Sequence, residues 1–511
     1  MSIARAYDSN DAVGLAALVR RKEVSPTELL DEAIARSDRL HPLLNAVVLP
    51  MHALARSQIE RGLPEGPLRG VPFLMKDLAS AYGGVPLRGA SKFFEHNLPE
   101  QHGELVERYL RAGLVIFGKT NTSEWGILPT TEPALYGACH NPWKHGYTVG
   151  GSSGGAGAVV AARIVPAAHG GDAGGSIRIP ASACGVFGLK PTRGRNPLGP
   201  DGSERAHGLG AEHVLTLSVR DSAAFLDASA GPEDVAPYWA PPKTVSYLDE
   251  VSREPGKLRI AYTTKPILPA ELDPEVIRAT EDAASLLRSL GHDVVEAHPP
   301  VSASETARSF FVIYCSAVAG EIELAKRHGG RAPRADEVES TTRIMGMIGA
   351  KLLSAGELSA AIRELQATAR AVHRFHRDYD ALLAPTLGRP PVRHGVLGPQ
   401  GFERTLQDQV SRHGLSALLR IPGILDRAIA RAYGFAPSTP IANVTGQPSM
   451  SVPLWWSAEG LPIGVCMTGR FGDEATLFRL AAQLERARPW RDRVPPTSAI
   501  TAGGVEDAMI T

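Results

Sequence analysis

The chain is expected to fold as an α/β protein, its sheet covered on both faces by helices. Two observations predict this. Short, nearly continuous apolar runs such as "GVPFLM" and "LVIF" have strand length and no polar alternation, as strands buried on both faces require. Longer segments with helical periodicity and cap signals stand between them, the pattern of a layered sheet-and-helix architecture.

Taken in order, "SPTELLDEAIARSDRL" (25–40) predicts a helix. Ser25 suits the N-cap, Pro26 the first helical position, and Glu28 completes a capping box. "LRGVPFLMKDLA" follows as a strand with Lys76 at its end. "GELVERYLRAG" (103–113) predicts a helix stopped by Gly113, then the strand "LVIF", with "GKTNTSEWG" as loop. "GAGAVVAARIV" carries small residues throughout and reads as a buried helix, and "FGLKPTRGRNPLGPDG" as turns. From about 302 to 430 the pattern becomes helical and less regular, interrupted by "LLAPTLGRPP", as expected of a lid-like elaboration. The sheet signal returns in "QPSMSVPLWW" and "GLPIGVCMTG", and "DEATLFRLAAQLERA" makes a last amphipathic helix. Residues 1–491 are expected to form one unit and 492–511 a flexible tail.

Several function classes are disfavoured at once. Lys+Arg and Asp+Glu both total 54 in 511 residues, so no basic footprint for nucleic acid is present. No stretch approaches about 18 consecutive apolar residues, so neither a membrane span nor a secretory leader is expected, and the default location is cytoplasmic. The four cysteines (139, 184, 315, 466) are scattered and expected to be reduced thiols. "HRFH" at 373–376 fits a surface helix better than a metal site, and serine-based acyl transfer, the chemistry considered next, needs no metal or organic cofactor.

Two glycine-rich stretches hold the candidate chemistry. "VGGSSGGAGAV" (149–159) contains G-x-S-x-G twice, which makes Ser152 or Ser153 an elbow-like nucleophile with a distant histidine as base. "GGDAGGSIRIP" (170–180) surrounds Ser176 with glycines whose N–H groups are free to converge on an oxyanion, the requirement of acyl transfer. The base there could be a lysine made neutral by burial. Lys76 follows an apolar run, whereas Lys119 and Lys190 stand in polar, turn-rich contexts. The residues alone leave both serines in play.

Taken together, "GVPFLMKD", "GGSSGGAGAVVAA" and "GDAGGSIRIPASACGVFGLKPTRGR" resemble the amidase signature family, with further similarity in "GKTNTSEW", "NPW", "QPSMSVP" and "GLPIGV". The resemblance implies a large, mixed, twisted sheet with a signature core at about 65–215. It implies a Ser–cis-Ser–Lys triad: Ser176 as nucleophile, Ser152 after a cis peptide from Gly151 as proton relay, and Lys76 as base. Ala173, Gly174, Gly175 and Ser176 would supply the oxyanion hole, with Asp172 and Arg178 as scaffold. One departure is Gly171, where many members carry threonine.

The expected activity is cleavage of apolar linear or cyclic amides, 6-aminohexanoate oligomers among them, through an acyl-enzyme. Gly151, Tyr314 and Cys315 are candidate substrate contacts, with Phe310 and Phe311 as further wall. The expected partner is a small-molecule amide, and a homodimer is the assembly left open. The alternatives are an aryl-amide, ester or carbamate hydrolase with the same triad, the A subunit of a tRNA-dependent amidotransferase, and a histidine-based serine hydrolase.

Overall fold

The computed structural model describes residues 2–420, 429–430 and 433–501. Local signals behave as their chemistry dictates. The helix Pro26–Leu44 opens on the reciprocal bonds between Ser25 and Glu28 and closes on Asn45 at φ 48°. The helix Glu104–Arg111 ends before Gly113, which turns the chain at φ 87°.

The strands are β1 (Val47–Pro50), β2 (Pro72–Lys76), β3 (Val115–Thr120), β4 (His140–Asn141), β5 (Lys144–Thr148), β6 (Ala167–Asp172) and β7 (Phe187–Lys190). They continue with β8 (Ala211–Thr216), β9 (Arg259–Tyr262), β10 (Asp293–Glu296), β11 (Ala381–Pro385), β12 (Ser449–Trp456) and β13 (Pro462–Gly469). β4 and β5 pair as a small hairpin, and the other eleven form one sheet in the order β1-β3-β2-β6-β8-β7-β12-β13-β11-β9-β10. β2 lies parallel to β3 and β6, and β9 parallel to β10 and β11, while the remaining neighbours are antiparallel. The sheet is therefore mixed, as expected.

Alternate residues of the strands feed opposite layers. Ile260 and Leu383 pack with Ala283, Leu287, Leu477 and Phe478 from the helices Pro274–Ser289 and Glu474–Ala487. Their neighbours Ala261, Leu382 and Ala384 face Phe310, Phe311, Leu365 and Val372 from the helices Ala303–Gly329 and Ala355–Phe375. Each large apolar side chain so buried contributes about 1.5–3 kcal/mol, and this makes the central strands a rigid platform.

Four readings are corrected. "GKT" of the expected loop is the end of β3, and "FGLK" of the expected turns is β7, both wholly buried. "LLAP" is not an interruption in a helical lid but β11, flanked by β13 and β9 in the sheet. So short an apolar run has no periodicity by which to separate strand from helix. His376 is buried rather than on a surface helix face, next to Phe375. Of the expected tail, residues 492–501 lie against the body, where Thr497 N–H and Ala499 N–H donate to the carbonyls of Pro142 and Ala162; 502–511 fall outside the described residues. Among the described residues, no helix is long and apolar enough to cross a membrane.

Candidate active site

β2 and β6 are parallel neighbours, with Leu74 opposite Ala168, so their C-terminal ends emerge on the same edge. Lys76 ends β2, and Asp172 ends β6 just before the segment Ala173–Ser176 and the helix Arg178–Cys184. This register brings together two motifs about a hundred positions apart.

Lys76 is 1% exposed, and its Nζ lies 2.6 Å from Ser152 Oγ. Burial drives its pKa down to about 7, with Glu212 and Asp172 opposing and Arg205 assisting. Burial alone does not single it out. Lys119 and Lys190, whose surroundings read as polar and turn-rich, are equally buried and also lowered, to about 8 and about 7. Their amines are directed elsewhere: Lys119 to Pro86 O and, at 3.6 Å, Asp77; Lys190 to Pro191 O at 2.7 Å. Of the three, only Lys76 meets a serine hydroxyl among the described residues.

The serine pair divides its work. The Gly151–Ser152 peptide is cis, and Thr131 Oγ1 donates to Gly150 O at 2.9 Å, beside it. Gly151 is buried against Thr130, whose carbonyl oxygen would lie 2.5 Å from any added Cβ. Ser153 points away from Lys76: its N–H donates to Ser176 O at 3.2 Å, and its hydroxyl bridges the N–H and C=O of Gly171. Ser153 thus stitches the two glycine-rich loops together. The Ser176 hydroxyl has no hydrogen-bond partner among the described residues.

The loop before Ser176 hangs on a buried ionic frame. Arg178 forks onto Asp172 with two bonds of 2.9 Å and also reaches Thr439 O and Asn443 Oδ1. Burial favours the protonated acid, but Arg178, with Lys190 and Asn443, outweighs it and holds Asp172 at about 2. Gly175 adopts φ 130°, and a side chain there would run into Thr439, whose hydroxyl donates to Gly174 O at 2.8 Å. The amides of Ala173, Gly174 and Ser176 make no hydrogen bond among the described residues, whereas that of Gly175 donates to Asp172 Oδ1 at 2.8 Å. Three of the four expected donors are therefore available to a ligand, and the fourth belongs to the frame. Thr131, Thr439 and Asn443 were not anticipated. The only signal for the last two was their closeness to "QPSMSVP".

The chain is similar to known proteins over nearly its whole length. The Amidase family model matches residues 28–424. This chain is a member of the amidase signature family. The amidase is 39% identical to 6-aminohexanoate-cyclic-dimer hydrolase of Pseudomonas sp. (strain NK87) over 95% of this chain and 96% of that one. Its fold is similar to the solved structure of a 6-aminohexanoate cyclic dimer hydrolase complexed with substrate, with TM-score 0.84, 38% identity and coverage of 96% and 99% of the two chains. It is similar also to a bacterial aryl acylamidase, with TM-score 0.82, 25% identity and coverage of 95% and 98%. The amidase is a hydrolase acting on C–N bonds.

Over the glycine loop of this amidase stands an aromatic wall from the helix Ala303–Gly329. A Cβ on Gly174 would sit 3.4 Å from both Phe310 Cζ and Tyr314 Oη. Phe310 and Tyr314 stack at 5.1 Å, and Tyr433 meets Phe310 edge-on at 5.7 Å. Cys315 is fully buried in the same apolar cluster, where burial pushes its thiol well above the ordinary range. Phe311 is buried there too.

Proposed function

We propose that this amidase cleaves the amide bonds of apolar linear or cyclic substrates, 6-aminohexanoate oligomers among them, through an acyl-enzyme on Ser176. Ser176 Oγ attacks the carbonyl carbon while Ser152 accepts its proton and passes its own to neutral Lys76. The carbonyl oxygen, negative in the tetrahedral intermediate, receives the N–H groups of Ala173, Gly174 and Ser176. Collapse breaks the C–N bond, and the proton returns along the relay to the departing amine. Water then attacks the ester by the same route and releases the acid.

The observation that carries this reading is the 2.6 Å bond between Ser152 and a buried amine whose pKa lies near 7. A base of that strength is largely neutral at physiological pH and still strong enough to take a proton. The link from Ser152 to Ser176 is the one that substrate binding must complete, because catalytic bonds are often unformed in the free enzyme. Activity is accordingly expected to rise with pH through about 7, as Lys76 loses its proton. Lys76→Ala is expected to lower kcat/KM by about 10²–10⁴-fold; near-normal turnover by that variant at neutral pH would exclude a lysine base.

Similarity to the cyclic-dimer hydrolase over nearly the whole chain supports the substrate class, as do Phe310, Tyr314 and Tyr433 above the reacting loop. The test is incubation with cyclic and linear 6-aminohexanoate oligomers, an aryl anilide and an aryl carbamate, followed by detection of released amine. Release from the oligomers is expected. Turnover confined to the anilide and the carbamate refutes this substrate class and favours the aryl-amide or carbamate reading.

A further inference from the structure

At the backbone of Lys76 begins a polar chain that the acyl-transfer steps do not use. The backbone N–H of Lys76 donates to His169 Nδ1 at 3.3 Å, which leaves the ring proton on Nε2, 3.2 Å from Glu212 Oε2. The same carboxylate oxygen accepts from the Ser80 hydroxyl, and Arg205 Nε stands 3.5 Å from Oε1. His169 comes from β6, Glu212 from β8, Ser80 from the segment after β2 and Arg205 from the loop before β8. Tyr109, from the helix Glu104–Arg111, lies edge-on to His169 at 6.2 Å. Asp172 acts on Lys76 from the end of β6, and His213 bonds to Ser222 instead. His169 is 0% and Glu212 2% exposed.

Burying a carboxylate here costs free energy that an apolar pair of similar volume would avoid. What the charge supplies is a field at the lysine amine. We infer that the His169–Glu212 pair is a positioning device for the base: the imidazole holds the β2 backbone at residue 76, and the carboxylate it anchors keeps a negative charge near the amine that governs its hold on the relayed proton. Burial alone would leave Lys76 a weaker base; Glu212, the largest opposing influence, restores proton affinity, and Arg205 partly offsets Glu212. The inference rests on Lys76 being the base of the relay.

The test reads the rate of fluorophosphonate labelling of Ser176 against pH, which needs no knowledge of the natural substrate. In Glu212→Gln the acid limb of that profile is expected to move to lower pH by roughly one unit, because an attractive charge near the ammonium is gone. In Arg205→Gln, at a side chain 43% exposed, the limb is expected to move to higher pH. A packing defect would not displace the two variants in opposite directions. Limbs that stay in place, or move the same way, overturn the inference; should Glu212→Gln fail to fold, an unmoved limb in Arg205→Gln overturns it alone. Lys76→Ala separates the two readings. Near-normal labelling by that variant removes the base itself, whereas its loss combined with unmoved limbs removes only the role of Glu212.

Discussion

Ser176→Ala is expected to abolish fluorophosphonate labelling and to lower kcat/KM by about 10⁴–10⁶-fold, while the protein remains folded. The hydroxyl is the atom that would form the acyl bond, and no hydrogen bond within the described residues depends on it, so its loss removes chemistry without removing a structural contact. Ser153→Ala provides the contrast. That hydroxyl bridges Gly171 N–H and C=O, so its loss costs on the order of 1 kcal/mol of loop stability but leaves labelling in place. Labelling that survives Ser176→Ala and disappears with Ser153→Ala would reverse the assignment and revive the elbow reading.

Arg178→Met is expected to have the largest effect on stability. It strips a buried carboxylate of its forked partner and leaves Asp172 ionised in a dry site, a change that costs about 3–5 kcal/mol. The pH dependence has a definite sign. In the parent, Asp172 is held at about 2 against an ordinary 3.8, so it stabilises the fold above pH 3.8, and that contribution is lost as pH falls toward 2. Without Arg178 the carboxyl prefers its proton, so the variant's deficit is expected to be greatest at neutral pH and to shrink on acidification. Denaturant melts at pH 7.5 and pH 5 read this directly; an equal deficit at both would show that Asp172 is not the group left unpaired. Loss of the frame also frees the Gly175 amide from its anchored acceptor, so labelling of Ser176 should slow in whatever protein remains folded.

Much of the site was legible because it is local. The glycines flanking Ser152 and Ser176 and the capping box at Ser25 act over a few residues, where composition and spacing carry the signal, and the acid and base of "GDAGGSIR" stood out through the family resemblance. What could not be read depends on partners far along the chain. Thr439 and Asn443 reach Gly174 and Asp172 across more than 260 positions, and Glu212 meets His169 only because β8 pairs with β6 in one antiparallel register. β11 was missed for a related reason: five apolar residues become a central strand only when β9 and β13 lie on either side.

The amino-acid sequence by itself determined the reactive groups: two serines in side-chain-poor loops, a lysine at the end of an apolar strand, and, through the family resemblance, an acid–base pair beside the second serine. Tertiary structure alone decided which of them act together. Three lysines are buried and depressed alike, and the two adjacent serines are chemically equivalent. The parallel pairing of β2 with β6 brings Lys76 to the edge from which the Ser176 loop departs, and the loop before the helix Gly154–Ala161 sets Ser152 against Lys76 while Ser153 bonds to Gly171. Proton transfer needs contact at about 3 Å, and for groups 76 positions apart only the packing of the sheet supplies it.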